Sequence, residues 1–507
     1  MQDNEVEDLL DSDESLVLIE APAGTGKTYQ GANYARREAS RLRRGRILIL
    51  THTHAACGVF ADATKADTSR VEIKTIDSLI AQIAAAYHKT LDLPADPSAW
   101  ARQERNGYTQ LAERVSTLIA NKPMVANVLA DRFPVIIGDE HQDTSEHQHA
   151  IMLHIYDAGS KLRVFGDPMQ QIYRSPGRNG FERDRERWRE FRDRAAFGEL
   201  ETPHRWAEGS PALGAWVLEA RSQLKNGQPI DLSEDLPDGL RVVRAENTAQ
   251  TRTGFQLAAA CRQPLDQLVA GTEELLILTD QNETAKALRA FWNRRIPIWE
   301  GYTRDSLGKL VTALTNDGIT AEGACTALNT FIYGVSVGYT ASSHGNRLTQ
   351  EVRDGCVAAS RGKPALLQEI GRELLNEPNH KGAAAALHRL DELRSDGTAG
   401  FNEIRIDYQN EWRDAVRVGQ FEGPEEALAE LHRRRSYARP KPPTKAISTI
   451  HKAKGLECEH AMLLPCDASR YRDTEYARSK LYVGLSRASS SLTLSICPND
   501  PGPLFRF

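Results

Sequence analysis

The segment Ala21-Pro-Ala-Gly-Thr-Gly-Lys-Thr28 constrains this chain more than any other feature. It follows an apolar run, Ser15–Glu20, that reads as a buried strand, and it opens a helical pattern from Gly26 to Leu42. Gly24 and Gly26 permit backbone conformations in which successive N–H groups turn inward. A helix N-terminus behind them adds positive potential, so the loop suits phosphate oxygens. Ala21, Pro22, Ala23, Gly24, Thr25, Gly26, Lys27 and Thr28 are therefore the candidate nucleotide-binding residues. Lys27 is expected to neutralise the β- and γ-phosphates, and the Thr28 hydroxyl to hold Mg2+. The one departure from the general pattern is Ala21, where Gly is usual.

Such a loop needs a metal-binding carboxylate at the end of a neighbouring strand. Val135-Ile-Ile-Gly-Asp-Glu-His-Gln-Asp143 supplies one. Its apolar run delivers Asp139 to the strand end, where it is expected to hold Mg2+ through water. Glu140 is expected to accept the proton of an attacking water. An Asp-Glu pair alone is ordinarily a solvated loop; the buried-strand run before it favours the site.

The first third of the chain alternates apolar runs with helical patterns, as a parallel α/β sheet does. Further strands are predicted at Arg46–Thr51, Val71–Lys74, Pro134–Gly138 and Leu162–Gly166, and a second helix at Ser78–Tyr87. Pro97–Asn121 reads as helical and is expected to form a small subdomain. Phe181–Arg194 alternates acid and base, the mark of a solvated helix with internal ion pairs. Gly239–Val243 and Glu274–Thr279 open a second α/β unit, to which Ala446–Ile450 and Ser491–Ile496 return. Between them, 305–435 is helical, and Arg439-Pro-Lys-Pro-Pro-Thr-Lys445 reads as an extended linker.

A length of 507 residues predicts about three or four domains. No apolar run approaches the roughly 20 residues that cross a bilayer, so no membrane partner is expected. Seven cysteines stand singly, with no C-x-x-C pair, and the start of the chain is acidic. Reduced thiols, no zinc ribbon and a cytoplasmic location are expected. A net charge of −5 excludes coating of nucleic acid by bulk charge but not a basic groove.

Asp139-Glu-His-Gln-Asp-Thr144 resembles the second motif of UvrD/Rep-like superfamily 1 helicases, and seven further segments follow in that family's order. Leu50-Thr-His-Thr-His-Ala-Ala56 and Lys74-Thr-Ile-Asp-Ser-Leu79 resemble its DNA-contacting segments. Phe165-Gly-Asp-Pro-Met-Gln-Gln-Ile-Tyr173 resembles the third motif, and Leu200-Glu-Thr-Pro-His-Arg205 the fourth. Leu276–Pro297 resembles the start of the second motor domain. Ser448-Thr-Ile-His-Lys-Ala-Lys-Gly-Leu-Glu457 and Tyr482-Val-Gly-Leu-Ser-Arg-Ala488 resemble the last two motifs.

The resemblance implies two RecA-like P-loop NTPase domains of α/β class with small helical insertions. It places the first at 1–81 and 133–205 with an insertion at 82–132, and the second at 206–304 and 445–507 with an insertion at 305–444. It further implies that Gln170, Arg205 and the arginine finger Arg487 meet the γ-phosphate, that His204 packs on adenine, and that Glu457 binds ribose. DNA contacts are implied at Thr51, Thr53, Thr75, Tyr173, His451 and Lys452. The implied activity is ATP- and Mg2+-dependent movement, 3′ to 5′, on single-stranded or tailed duplex DNA. Compact chains of this kind also resemble the helicase subunit of Gabija-type antiphage systems, which implies a separate nuclease partner as the alternative. Two departures stand out. Only Gln2 is available where the family has an adenine-reading Gln. Arg174-Ser-Pro-Gly177 replaces the family's base-stacking segment, leaving Tyr173, Trp188, Trp206 and Trp299 as candidate substitutes, although for each of these rings packing in the core is the commoner role.

Overall fold

The computed structural model describes all residues except Thr68, Arg105, 174–178, Glu234, 246–258, 302–303, Asp317, 439–440 and Asn499. The chain divides into two compact units: Met1–Ile296 with Pro442–Phe507, and Pro297–Lys441.

The first unit holds two large parallel sheets and a short parallel pair, Ile230–Asp231 with Phe505–Arg506. In the first sheet lie β1 (Leu16–Glu20), β2 (Ile47–Thr51), β3 (Val71–Thr75), β4 (Val135–Gly138), β5 (Lys161–Gly166) and β6 (Ala196–Glu199), in the order β3-β2-β4-β5-β1-β6. The central strands Leu-Val-Leu-Ile-Glu, Ile-Leu-Ile-Leu-Thr and Val-Ile-Ile-Gly are buried along their whole length. Continuous apolar runs of this kind are what a sheet covered on both faces requires. Helix α1 (Asp3–Asp11) covers part of one face, placing Val6 and Leu10 in a cluster with Val17 and Ile19. On the same face lies α2 (Lys27–Arg41), the helix that the phosphate-loop sequence opens.

The helical insertion before β4 consists of Pro97–Gln103, Gly107–Asn121 and Pro123–Arg132. It is not a detached subdomain. Leu111, Val115 and Ile119 share one core with Ile80 and Ile83 of helix Ile76–Ala86, Ile151 and Ile155 of helix Glu146–Asp157, and Ile136 of β4. The apolar stripe of Gly107–Asn121 has no second layer of its own, so it completes the core of the sheet.

The second sheet has the order Lys445–Thr449, Leu275–Thr279, Cys458–Leu463, Ala488–Ile496, Leu240–Arg244, again all parallel. Lys445–Thr449 pairs in register with Leu275–Thr279, Lys445 lying opposite Leu275 although the two are 170 positions apart. Ligands of such sheets gather at the C-terminal strand ends, and the first sheet presents its motif residues there. In the second sheet His451 and Lys452 follow the end of Lys445–Thr449, whereas Glu457 and Arg487 immediately precede the strands Cys458–Leu463 and Ala488–Ile496.

The second unit is helical, with Asp305–Leu314, Ala321–Val335, Asn346–Arg353, Lys363–Asn376, His380–Ser395, Gln409–Val418 and Pro424–Ala438, and one short antiparallel pair, Ser336–Val337 with Arg405–Ile406. It begins at Pro297, earlier than the expected boundary at residue 305. The reason is local bonding. Glu300 accepts the Asn410 and Glu411 N–H groups (2.8 and 2.9 Å) at the start of helix Gln409–Val418, and Arg304 donates to Asp414 (3.1 Å). Of the expected linker 439–445, the first two residues lie outside the described ones.

Candidate nucleotide site and its interlobe contacts

The chain leaves β1 at Glu20 and turns at once. Ala21 N–H donates to Gly166 O at the end of β5 (2.8 Å), and the Thr25 hydroxyl donates to Pro22 O (2.8 Å), closing the loop on itself. Gly24 and Gly26 both lie in the left-handed region, at φ +75° and +84°. A Cβ on Gly24 would come within 2.7 Å of Arg205 Cβ and the Trp206 ring, and one on Gly26 within 3.2 Å of the His204 ring. Glycine is therefore required by conformation and by contact. The same contacts place His204 and Arg205 against the phosphate loop. Arg205 N–H donates to Gly24 O (3.0 Å), and the His204 ring meets Asp3 of α1 (2.7 Å).

Lys27, the first residue of α2, ion-pairs with Glu140 and lies 3.9 Å from Asp139. Asp139 is set by its N–H donating to Leu50 O of β2 (2.9 Å). Glu140 adopts φ +52°, a left-handed conformation that costs a non-glycine residue about 1–3 kcal/mol and marks functional sites. Burial raises the Asp139 carboxyl to about 6, against Lys27 and with the help of Glu140. Burial works in the same sense on Glu140, but Lys27 and then Lys454 overcome it and hold that carboxyl down at about 2. One buried oxygen of Asp139, Oδ1, has no hydrogen-bond partner among the described residues. An orphaned carboxylate oxygen 3.9 Å from Lys27, the residue before Thr28 in the chain, fits a hard cation such as Mg2+.

Gln170 is buried and donates from Nε2 to Asp167 Oδ2 (3.1 Å). Gln142 links the two acidic motifs: its amide nitrogen donates to Glu140, and its carbonyl oxygen accepts from Asp167 N–H (3.0 Å).

The far end of the chain reaches the same place. Helix Glu475–Leu485 lies among the elements of the second sheet, and its Tyr482 hydroxyl accepts from Ala23 N–H (2.8 Å). Arg205 donates to Ser486 O and ion-pairs with Glu457. Arg487 is 2% exposed and donates to Val483 O (2.8 Å), Leu456 O (3.2 Å) and Ser486 Oγ (2.7 Å). Burial and the neighbouring Arg205 lower its guanidinium to about 10. Arg487 thus stands near Arg205, which itself touches the loop, and its hydrogen bonds go to two carbonyls and a hydroxyl while the Glu457 carboxylate acts on it through space.

Two family profiles match the chain: the UvrD/REP helicase N-terminal domain over residues 98–177, and the UvrD-like helicase C-terminal domain over 446–495. Together they support a superfamily 1 helicase. The first UvrD-like stretch contains Asp139, Glu140 and Gln170, the second His451, Lys452, Glu457 and Arg487; Lys27 and Arg205 lie outside both. No curated protein matches the chain in sequence. Among solved structures, the Pif1 helicase from Candida albicans is similar at a TM-score of 0.38 and 12% identity, over 97% of this chain and 94% of that one.

The expected DNA contacts divide. Tyr173 is 51% exposed, its hydroxyl donating to His451 O (3.3 Å) and its ring 6.3 Å from that of His451. Thr53 caps helix His54–Ala63 from an exposed position. Lys452 is half-buried beside His451, whose ring meets the Tyr476 hydroxyl (2.8 Å). Thr51 is not at a surface: it is 1% exposed, and its hydroxyl donates to Thr53 O (3.1 Å) to close the turn after β2. Thr75 is nearly buried too and caps helix Ile76–Ala86 by accepting from Ser78 N–H (3.1 Å). Trp188, Trp206 and Trp299 are buried, which removes them as stacking surfaces. Gln2 opens α1, its N–H donating to the Glu5 carboxylate (2.7 Å). The substituted segment at Arg174–Gly177 lies outside the described residues.

Several residues of this junction carried no role in the sequence reading. Lys454 reaches across to Asp143 and Gln170 O (both 2.8 Å) and stands 5.0 Å from the Tyr173 ring. Tyr482 and Gln142 lie inside quoted motifs, so their positions were visible although their partners were not. Arg221 lies in no motif, and nothing in its local sequence marks it.

Proposed function

We propose that this chain is an ATP hydrolase that couples hydrolysis to 3′ to 5′ movement along single-stranded DNA and to unwinding of tailed duplex. The observation that carries the proposal is the convergence of Arg205, Tyr482 and the Ser486–Arg487 pair on a phosphate loop that begins at Ala21.

The chemistry follows from what each side chain now holds. Terminal phosphates entering the loop would compete with Glu140 for Lys27 and with Glu457 for Arg205. Arg487, whose hydrogen bonds go to carbonyl and hydroxyl oxygens, would gain an anionic acceptor. Thr28 and Asp139 would hold Mg2+, which supplies charge neutralisation at the phosphates. Once Lys27 turns to the phosphate, Glu140 loses the partner that keeps it a weak base, and its affinity for a proton rises. Glu140 is then suited to orient and deprotonate the attacking water. After hydrolysis the charge gripped by the two arginines is divided, and the second-lobe contacts on the loop weaken. Movement of His451, Lys452 and Tyr173 relative to one another would pass that change to a bound strand. A cytoplasmic location belongs to the same proposal and rests on the sequence alone.

Strand displacement on a 3′-tailed duplex, with wild type and Lys27→Ala in parallel, tests the proposal. Lys27-dependent displacement that stalls on a 5′-tailed duplex is expected. DNA-stimulated hydrolysis without displacement would favour the second reading, a subunit that regulates a separate nuclease in antiphage defence; the compact insertion of the first lobe, continuous with its core, favours keeping it in view. Neither hydrolysis nor displacement would end both.

A further inference from the structure

Helix Pro211–Lys225 is anchored to the second sheet. Immediately before it, Ser210 N–H donates to Ser489 O (3.1 Å), and the Ser210 hydroxyl donates to Asp238 O (2.6 Å). The other end of the helix meets the first sheet. Arg221, 4% exposed, donates to three carboxylates: Glu20 at the end of β1, Asp167 just after β5 (2.9 Å) and Glu199 at the end of β6 (2.6 Å). Lys225 pairs with Glu20 and lies 3.7 Å from Glu199. Glu20 and Asp167 are wholly buried.

Each partner leads directly into the nucleotide site. Glu20 is followed by Ala21, the first residue of the loop. Asp167 accepts the Met169 N–H (3.0 Å) with Oδ1 and the Gln170 side-chain amide (3.1 Å) with Oδ2. The Arg221 guanidinium also lies 6.0 Å from the Tyr482 ring, whose hydroxyl holds Ala23. A buried carboxylate is costly unless it is paired and hydrogen-bonded, and Arg221 is the charged group bonded to both oxygens of Asp167. Without Arg221, Asp167 would keep the N–H donors of Met169 and Gln170 but lose the fork that fixes the plane of its carboxylate. It would then offer Gln170 a differently oriented acceptor.

We propose that Arg221 is a positioning residue of the nucleotide site: through Asp167 it sets the Gln170 amide, and it ties that setting to a helix anchored on the second lobe. The inference rests on the ATP-hydrolase reading above and adds to it a residue outside every helicase motif quoted. Arg221 touches no substrate and acts only through Asp167 and Glu20.

The test is steady-state ATPase of the full chain with single-stranded DNA, alongside thermal melting, for wild type, Lys27→Ala, Arg221→Lys and the charge-balanced double variant Arg221→Met with Asp167→Asn. Lysine keeps the charge but cannot bridge three carboxylates with one planar fork. Both Arg221 variants are expected to melt close to wild type, with kcat lowered about ten-fold or more and KM for ATP changed by less than about three-fold. The lysine variant should retain more activity than the double variant. A folded Arg221→Lys protein with wild-type kcat overturns the inference. So does loss of folding in both variants, which makes Arg221 structural only, or a rise in KM with kcat unchanged. Wild-type hydrolysis that survives Lys27→Ala would instead overturn the reading beneath it.

Discussion

Replacing Tyr482 with Phe removes one oxygen from the junction between the phosphate loop and helix Glu475–Leu485. The ring stays, with its buried packing and its 6.0 Å approach to Arg221, so the perturbation is confined to one hydrogen bond. That bond joins Ala23 N–H to the hydroxyl at 2.8 Å, with both residues buried. Once it is gone, the amide faces an apolar ring edge, and an unsatisfied buried donor costs about 1–3 kcal/mol. Its partners are 459 positions apart, so the cost falls on the arrangement in which the last motif sits against the loop. At about 1.4 kcal/mol per factor of ten, that arrangement loses roughly 5- to 150-fold in population. Hydrogen exchange at the Ala23 amide should accelerate by the same factor, because its opening now needs no bond to be broken. DNA-stimulated kcat should fall in step, since Arg487 is carried by the same helix end. Unchanged exchange at Ala23 together with unchanged kcat would refute the claim that this contact couples the two sheets.

Glu140→Gln should lower kcat by about 10²- to 10⁴-fold while nucleotide binding, measured by equilibrium dialysis, is retained. The raised Asp139 carboxyl makes the Mg2+ requirement pH-dependent: as pH falls through about 6, a proton competes with the metal. The Mg2+ concentration for half-maximal rate should then climb by up to about ten-fold per pH unit, and stay flat above pH of about 7. This is not acid unfolding at Asp139. A carboxyl raised in the folded state favours folding at low pH and loses that contribution as pH rises through about 6, so an intact melting temperature at pH 5.5 should accompany the weakened metal response. Lys454→Met leaves the part-buried Asp143 carboxylate without its cation and should destabilise the fold by about 1–3 kcal/mol in urea titration, while adding Asp143→Asn should return much of it.

Much of the site was legible because its residues are local to strand ends. The runs Ser15–Glu20 and Val135–Gly138 are apolar without interruption, and a buried parallel strand has few other ways to be written. Each hands its motif to the C-terminal edge of the sheet, so Lys27, Asp139 and Glu140 could be placed together from order alone. Strand Cys458–Leu463 was not read, because only its second half, Ala-Met-Leu, is buried and apolar. The four residues of Ala196–Glu199 and the polar helix α1 escaped for the same reason: little of either is apolar, and their burial comes from neighbours. Thr51 and Thr75, which the resemblance implies as DNA contacts, are buried and bonded to local backbone in this structure. A threonine at a strand end is as well suited to capping the next turn as to facing a ligand, and only packing decides between the two.

From its order of residues alone, then, this chain was bound to form a phosphate-binding strand–loop–helix with an acidic strand beside it, since glycine φ angles and apolar runs are short-range properties. What side chains hundreds of positions apart do to one another was left to the tertiary structure. That Arg205 pairs with Glu457, that Arg487 turns to carbonyl groups, that Tyr482 caps Ala23 and that Arg221 binds the ends of three strands all depend on how two sheets meet. Electrostatic partners in a buried junction are chosen by distance and desolvation, and neither is written along the chain.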